Sequence, residues 1–147
     1  MENSVLAGFF ERDLRRLIEE ISLFKKEDDL WKVAGQVKNP AGNLALHIIG
    51  GSNHLFGKIL GNTGYVRNRP EEFSKRDVPR DVIVAQLEDL IATVTGVVKA
   101  VDMNADYPIP FDDAIRTNGY VIVQLLAHLN YHLGQVNYLR RILEPDL

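Results

Sequence analysis

The sequence predicts an all-α protein, and three observations support this fold class. Apolar residues recur at spacings of three and four in four long windows, which is the period of an amphipathic helix. The alternation of apolar and polar residues that marks half-buried strands is nearly absent. A long connection separates the second window from the third, and four helices of about 20 to 25 residues with a long central connection predict a four-helix bundle.

The first window runs from about Ser4 to Lys26. Asn3 or Ser4 is the expected N-cap, and Lys25 and Lys26 suit the negative end of the helix dipole. Its apolar positions are Val5, Phe9, Phe10, Leu14, Leu17, Ile21 and Phe24. The phenylalanines Phe9, Phe10 and Phe24 occupy more than one face of this helix, which predicts a homodimer that covers the surplus apolar surface.

The second and third windows flank the long connection. The second begins at Pro40, where a first-turn proline follows a capping Asn39, and it stops at Gly61. The third runs from near Pro79 to about Val101, with apolar positions at Ile83, Leu87, Leu90, Ile91, Val94 and Val98. Residues 62–78, which are rich in Gly, Asn, Arg and Pro, are expected to form an irregular crossover.

The fourth window begins after Gly119 and ends before Pro145. Residues 102–117 precede it and predict an extended loop or a short hairpin. We expect one domain over residues 1–147, a length that can bury a sizeable core. Hydrophobic residues make up 46% and charged residues 25% of the chain, which is typical of a globular protein and not of a disordered one.

Composition also excludes several function classes. The formal net charge is −3 without a run of Lys or Arg, so no nucleic-acid partner is expected. No apolar run reaches 18 residues and the N-terminus lacks a signal pattern, so we expect a cytoplasmic protein without a membrane span. The chain has no cysteine, so any thiol chemistry would need a thiol brought by a substrate.

The histidines carry the strongest functional signal. His128 and His132 are four residues apart in the fourth window, so they lie on one face of the helix, and imidazole is the commonest metal ligand. They are expected at inward positions beside Leu125, Val136 and Leu139. Burying two imidazoles there is unfavourable unless each finds a partner, which one metal ion would supply. Hydrogen-bonded core histidines or a dimer contact are the alternatives.

The second window adds a third ligand candidate. His47 and His54 share a stripe, but the helical rise between them is about 10 Å, so one ion can hardly bind both. Lys58 lies one turn beyond His54 and would oppose a cation, whereas His47 has apolar neighbours on both sides. The predicted metal ligands are therefore His47, His128 and His132.

For several residues near these histidines, the sequence allows two alternative roles. Gly50 and Gly51 would leave an access gap above the ion, or they allow close packing or a kink. The amide side chains Asn43, Gln124 and Gln135 would orient ligand imidazoles, or they are simply exposed.

Two motifs give the chain a family resemblance. Asn43-Leu-Ala-Leu-His47-Ile and His128-Leu-Asn-Tyr-His132-Leu-Gly-Gln-Val resemble the metal-histidine motifs of DinB-like (YfiT-like) proteins, in order and spacing over the whole chain. Residues 67–73 and 110–113 are similar to features of an uncharacterised branch of that family. The resemblance implies an up-down-down-up four-helix bundle with the crossover between helices two and three. It also implies zinc or nickel on His47, His128 and His132, and a low-molecular-weight thiol such as bacillithiol or mycothiol as cosubstrate; His54 has no counterpart in the motif.

Two functions follow as hypotheses. The first is a divalent-metal-dependent enzyme, a thiol-dependent S-transferase or a hydrolase, that acts on a small electrophilic molecule. No acidic residue lies on the ligand stripes, so the nucleophile would come from solvent or a cosubstrate. Arg67 and Arg69 would bind an anionic substrate, or pair with Glu71 and Glu72 to order the loop. The alternative function is a non-catalytic bundle that binds a metal or a small ligand.

Overall fold

Helices make up the regular structure of the protein. The computed structural model describes residues 2–146, and within that range it contains no strand, only isolated β-bridges. The all-α prediction is therefore confirmed. The elements, in chain order, are α1 (Asn3–Leu23), a 3-10 helix (Glu27–Trp31), α2 (Ala41–Ser52), a π-helical stretch (Asn53–Lys58), α3 (Arg69–Ser74), α4 (Arg80–Ala100) and α5 (Asn118–Leu143).

Helix α1 packs against α4 and α5. The Asn3 side chain at its start donates to the carbonyls of Lys99 and Val101 at the end of α4, at 3.3 and 2.7 Å. At the other end, Arg80 of α4 donates to the carbonyl of Ser22 at 3.2 Å. The two helices therefore run in opposite directions.

Helices α1 and α5 run in the same direction. Asn130 donates to the carboxylate of Asp13 at 2.7 Å. Further toward the C-terminal end of both helices, Asn137 donates to the carboxylate of Glu20, also at 2.7 Å. Because residue numbers rise together along the pair, the N-terminal and C-terminal helices lie side by side in parallel.

Helix α2 also packs against α4 and α5. Leu44 near its start lines a groove with Leu139 near the end of α5, whereas Leu55 lines another with Gln124 near the start of α5. Helices α2 and α5 therefore run in opposite directions. The core lies between the long helices, and its most deeply buried side chains are Leu14, Leu17, Ile21, Phe24, Phe56, Ile83, Leu87, Leu90, Val94, Val98 and Ile122.

The end of α1 differs from the prediction. The helix stops at Leu23, and Glu2 rather than Asn3 or Ser4 occupies the N-cap position, without a side-chain capping bond. The backbone amides of Lys25 and Lys26 donate to the carboxylate of Glu144 at 2.8 and 3.0 Å. These two residues therefore lie beyond the helix, held by a carboxylate from the other end of the chain.

The crossover is more ordered than predicted. The crossover segment, residues 62–78, contains the short helix α3, which starts with Pro70 in its first turn and with the Asn68 side chain accepting from the amide of Glu71 at 3.3 Å. Pro40 caps α2 instead of starting it, and α2 continues into the π-helical stretch. The hairpin alternative for residues 102–117 agrees with two antiparallel bridges, Asp106 to Thr117 and Phe111 to Ala114.

Among residues 2–146, no helix is both long enough and apolar enough to cross a membrane.

Candidate metal centre

Three histidines from two helices meet at one point. His47 on α2 and His128 and His132 on α5 each offer a ring nitrogen, and these nitrogens all lie within 4.8 Å of one another. The His47 ring centroid lies 5.2 Å from that of His128 and 5.1 Å from that of His132, and the last two are 4.4 Å apart. We call these residues the histidine cluster.

The cluster lies at the edge of the core, and this corrects the prediction for α5. His47 is buried, but His132 is only half-buried and His128 is exposed. The inward positions of this part of α5 belong to Leu129 and Leu133. His128 and His132 each precede one of these leucines and border that face, whereas Val136 and Leu139 are buried as predicted. An ion at the cluster would therefore be accessible from solvent.

A carboxylate from the crossover segment holds His47. The Nδ1 atom of His47 lies 3.0 Å from Oε1 of Glu72, which is itself buried. Arg67 donates two hydrogen bonds to the same carboxylate, from Nε to Oε2 at 2.8 Å and from Nη2 to Oε1 at 3.0 Å. A carboxylate on one ring nitrogen fixes the orientation of an imidazole and leaves Nε2 as the atom available to a metal.

The surface of α2 is shaped to receive this carboxylate. A Cβ on Gly50 would collide with the Glu72 side chain, and one on Gly51 would lie 3.2 Å from Nη2 of Arg67. Asn43, one turn before His47, donates to the carbonyls of Glu72 and Lys75 at 3.0 and 2.8 Å. Of the two roles predicted for the paired glycines, the structure supports close packing, because their missing side chains make room for the crossover segment. Asn43 bonds backbone and not an imidazole.

A glutamine orients the third histidine. Nδ1 of His132 lies 2.7 Å from Oε1 of Gln135, which can only accept, so Nδ1 carries the proton in the neutral ring. Nε2 of His132 is then bare and accepts from Nε2 of His128 at 2.9 Å. Gln135 thus has the orienting contact that was one of its two predicted roles, whereas Gln124 lines the cavity described below.

The cluster favours neutral imidazoles. His128 is exposed as a residue, but partial desolvation of its ring, reinforced by the neighbouring His132 and His47 rings, lowers its pKa to about 4. Burial also lowers the pKa of His47, against the opposing effect of Glu72. Both rings are therefore unprotonated near neutral pH, which is the state in which histidine binds a metal.

The spacing of the cluster suits a divalent ion. Imidazole nitrogens about 2.0–2.1 Å from a tetrahedral ion lie roughly 3.4 Å from one another. The Nε2 atoms of His128 and His132, now 2.9 Å apart, are slightly closer than this distance. The three ligand nitrogens as a set lie within 4.8 Å of one another, so the more distant pairs would have to approach on binding an ion. Three protein ligands leave at least one position for a water or a substrate, as in catalytic zinc sites.

A cavity of about 560 Å³ opens onto the cluster. We call it the site cavity, and its size is typical of a pocket for a small molecule. Its walls come from α2, the crossover segment, residues 102–117 and α5. It is lined by His47, Ile48, Gly51, Ser52, Leu55, Arg67, Arg69, Phe111, Asp112, Gln124, Leu125, Ala127, His128, Leu129 and Tyr131.

His54 lies outside the cluster, in the π-helical stretch. Its Nδ1 atom is buried without a hydrogen-bond partner among residues 2–146, and burial lowers its pKa.

Sequence reasoning missed Glu72 as a partner of His47. The predicted pairing of Arg67 with a glutamate of residues 71–72 occurs, but Arg69 has no such partner among residues 2–146 and instead stacks over the Phe73 ring. Nothing in the spacing of Glu72, 25 residues after His47, indicates their contact.

Comparisons of the chain with models of known families, with curated proteins and with solved structures found no match. The case for a metal centre therefore depends on the geometry of the cluster and on the chemistry of its donors.

Proposed function

We propose that the protein is a divalent-metal-dependent enzyme that acts on a small electrophilic molecule, with His47, His128 and His132 as the metal ligands. The observation that carries this proposal is the convergence of three imidazoles from two helices, two of which, His47 and His128, line an open cavity. A structural ion would need a fourth protein ligand. Among residues 2–146 the cluster contains three candidate ligands only.

The surrounding residues have positioning roles in this proposal. Glu72, held by Arg67, fixes the ring of His47, and Gln135 fixes the ring of His132. A divalent ion on three neutral imidazoles supplies a Lewis acid that lowers the pKa of a water or thiol and polarises an electrophile. Both oxygens of Glu72 are occupied by Arg67 and His47, so Glu72 is not a free general base.

Because Glu72 is committed to His47 and Arg67, we favour a nucleophile from solvent or from a cosubstrate. We therefore propose a hydrolase or a thiol-dependent S-transferase, and zinc or nickel as the ion, since imidazole suits both. The low-molecular-weight thiol is the cosubstrate that the DinB-like resemblance implies.

We also propose that the four long helices form the up-down-down-up bundle of DinB-like proteins. The antiparallel contacts of α1 with α4, the parallel contacts of α1 with α5 and the opposite directions of α2 and α5 support this order. The crossover segment then joins two helices that run in the same direction.

Metal content tests the site. We expect protein purified without a nickel column to bind one zinc or nickel ion per chain, measured by elemental analysis and competition titration. His47→Ala, His128→Ala and His132→Ala should each lose the ion, and His54→Ala should keep it. Retention of the ion by all three cluster variants would refute the site.

Turnover tests the enzyme. Metal-loaded protein should consume a thiol with an electrophile such as chlorodinitrobenzene or an epoxide, and His128→Ala should not. Full metal occupancy without turnover across a broad panel of thiols and electrophiles would instead favour the alternative, a non-catalytic protein that binds a metal or a small ligand.

A further inference from the structure

Arg69 differs from the other arginines near the histidine cluster. The Arg67 side chain is committed to Glu72, but the Arg69 side chain forms no ion pair or hydrogen bond with another of residues 2–146. Its guanidinium stacks over the ring of Phe73 at 5.4 Å from the centroid, and its side chain lines the site cavity. Arg69 thus presents a guanidinium with five N–H donors, and without an ion-pair partner among residues 2–146, to that space.

The stacking contact also fixes how far this charge lies from the metal centre. The Phe73 ring packs against the ring of His47, with centroids 4.9 Å apart. The sum of the two separations is therefore the greatest possible distance between the Arg69 guanidinium and the His47 ring. A small molecule can span that distance.

Charge in the site cavity favours an anion once an ion is bound. Among the lining residues Arg67 is balanced by Glu72, and Arg69 and Asp112 contribute one charge of each sign. A divalent ion on three neutral imidazoles adds two positive charges, so the loaded cavity attracts anions. The rest of the wall is largely apolar, with Ile48, Leu55, Phe111, Leu125 and Leu129.

We propose that Arg69 binds the anionic group, a carboxylate, of a small and otherwise apolar substrate whose reacting end lies at the histidine cluster. This inference rests on the proposed metal-dependent function, which it extends by naming the substrate class. A planar guanidinium matches a carboxylate through two parallel hydrogen bonds, which fixes the orientation of the molecule as well as its charge.

The test uses three probes of equal length: 3-phenylpropionate, the neutral 3-phenylpropan-1-ol and the cationic 3-phenylpropan-1-amine. Calorimetry with zinc-loaded protein should show tightest binding of the carboxylate. Arg69→Gln should weaken carboxylate binding about tenfold or more, as expected for a hydrogen bond to a charged group. It should leave binding of the alcohol unchanged, and Arg69→Lys should recover part of the loss.

Arg141→Gln is the matched control. The Arg141 guanidinium also stacks over an aromatic ring, that of Tyr138 at 5.5 Å, and it also forms no ion pair among residues 2–146, but it does not line the site cavity. This variant should bind the carboxylate like the wild type. Equal carboxylate affinity in Arg69→Gln and wild type, or tightest binding of the amine, would overturn the proposal, and the second result would point to Asp112 instead.

Failure of the metal site is distinguishable from failure of this proposal. Zinc affinity is measured on the same samples and should be unchanged by Arg69→Gln, because Arg69 contacts no member of the cluster. If wild-type protein takes up no zinc, the proposed function is wrong. The three probes are then compared on metal-free protein, where dependence of carboxylate binding on Arg69 still supports the proposal and independence still overturns it.

Discussion

Glu72 is the single side chain on which the geometry of the histidine cluster depends most. It is buried, bonds Nδ1 of His47 and receives two hydrogen bonds from Arg67. Arg67 therefore fixes the orientation of the Glu72 carboxylate, and the carboxylate in turn fixes the orientation of the His47 ring. Glu71, its neighbour in the chain, is exposed and pairs with Lys75.

Glu72→Gln should lower metal affinity roughly 10- to 100-fold while the fold is retained, because loss of an outer-shell carboxylate weakens histidine ligation by that amount. Competition titration with a chromophoric chelator measures the change. Glu71→Gln removes a charge one residue away, so it serves as the control and should bind metal like the wild type. Equal losses of metal affinity in the two variants would mean that the affinity depends on the net charge and not on the contact of Glu72 with His47.

Protonation of the cluster should also affect stability in the absence of metal. The pKa of His128 is lowered to about 4 in the folded chain and is near 6.5 when unfolded, so the unfolded chain binds more protons between these values. Stability of chelator-treated protein should therefore fall as pH is lowered from 6.5 to 4. Urea titrations across this window should show a smaller fall in His128→Asn, and identical pH dependence in both proteins would contradict the assignment.

The histidines and their partners differ in how far sequence could predict them. His128 and His132 are four apart on one helix, so their proximity follows from helical geometry alone. His47 could be chosen over His54 because Lys58 follows His54. The contact of Glu72 with His47 depends on how the crossover segment folds back onto α2, and no local periodicity encodes that path.

At the scale of elements, the long helices followed from apolar periodicity, whereas the short ones did not. The signals of α3 were present in Asn68 and Pro70, an N-cap followed by a first-turn proline, but six residues give too little periodicity to detect. The π-helical stretch depends on packing and has no sequence rule. There Tyr107, which is buried, donates to the carbonyl of Leu55 at 2.7 Å and connects residues 102–117 to this stretch.

The contact between α2 and the crossover segment can be tested at Gly50. Gly50→Ala would place a Cβ against the Glu72 side chain, so we expect a loss of about 1–3 kcal/mol in the free energy of unfolding and weaker metal binding. Urea denaturation and metal titration measure the two effects. Gly96→Ala in α4 is the control, because nothing lies within 4 Å of its added Cβ.

Gly96→Ala should be stabilised by up to about 1 kcal/mol through helix propensity alone. A stabilised Gly50→Ala with unchanged metal affinity would show that Glu72 moves freely and does not position His47.

At the scale of the whole molecule, the C-terminal ends of α1 and α5 lie together. Glu144, just after α5, is buried and accepts from the amides of Lys25 and Lys26 just after α1. Of the three phenylalanines on which the homodimer prediction depended, Phe10 and Phe24 are buried within the chain and only Phe9 is half-exposed. The surplus apolar surface of α1 is thus smaller than predicted, and the homodimer stays a prediction for sedimentation to test.

Glu144→Ala should lower the free energy of unfolding by about 1–3 kcal/mol, because two backbone amides lose a charged acceptor. Thermal and urea unfolding measure this loss. Asp146→Ala, which removes an exposed carboxylate two residues later, should change stability by less than about 0.5 kcal/mol. Equal losses of stability in the two variants would show that the contact of Glu144 with the two amides does not account for the effect.

The parallel pairing of α1 with α5 has a consequence for how the chain acquires its structure. Contacts such as Asp13 with Asn130 join residues 117 positions apart, and closing such long loops slows folding. During synthesis α1 emerges first but cannot complete its packing until α5 has left the ribosome. The side of α1 that packs on α5 is therefore without this partner until α5 has been made, and His47 meets His128 and His132 only after that point.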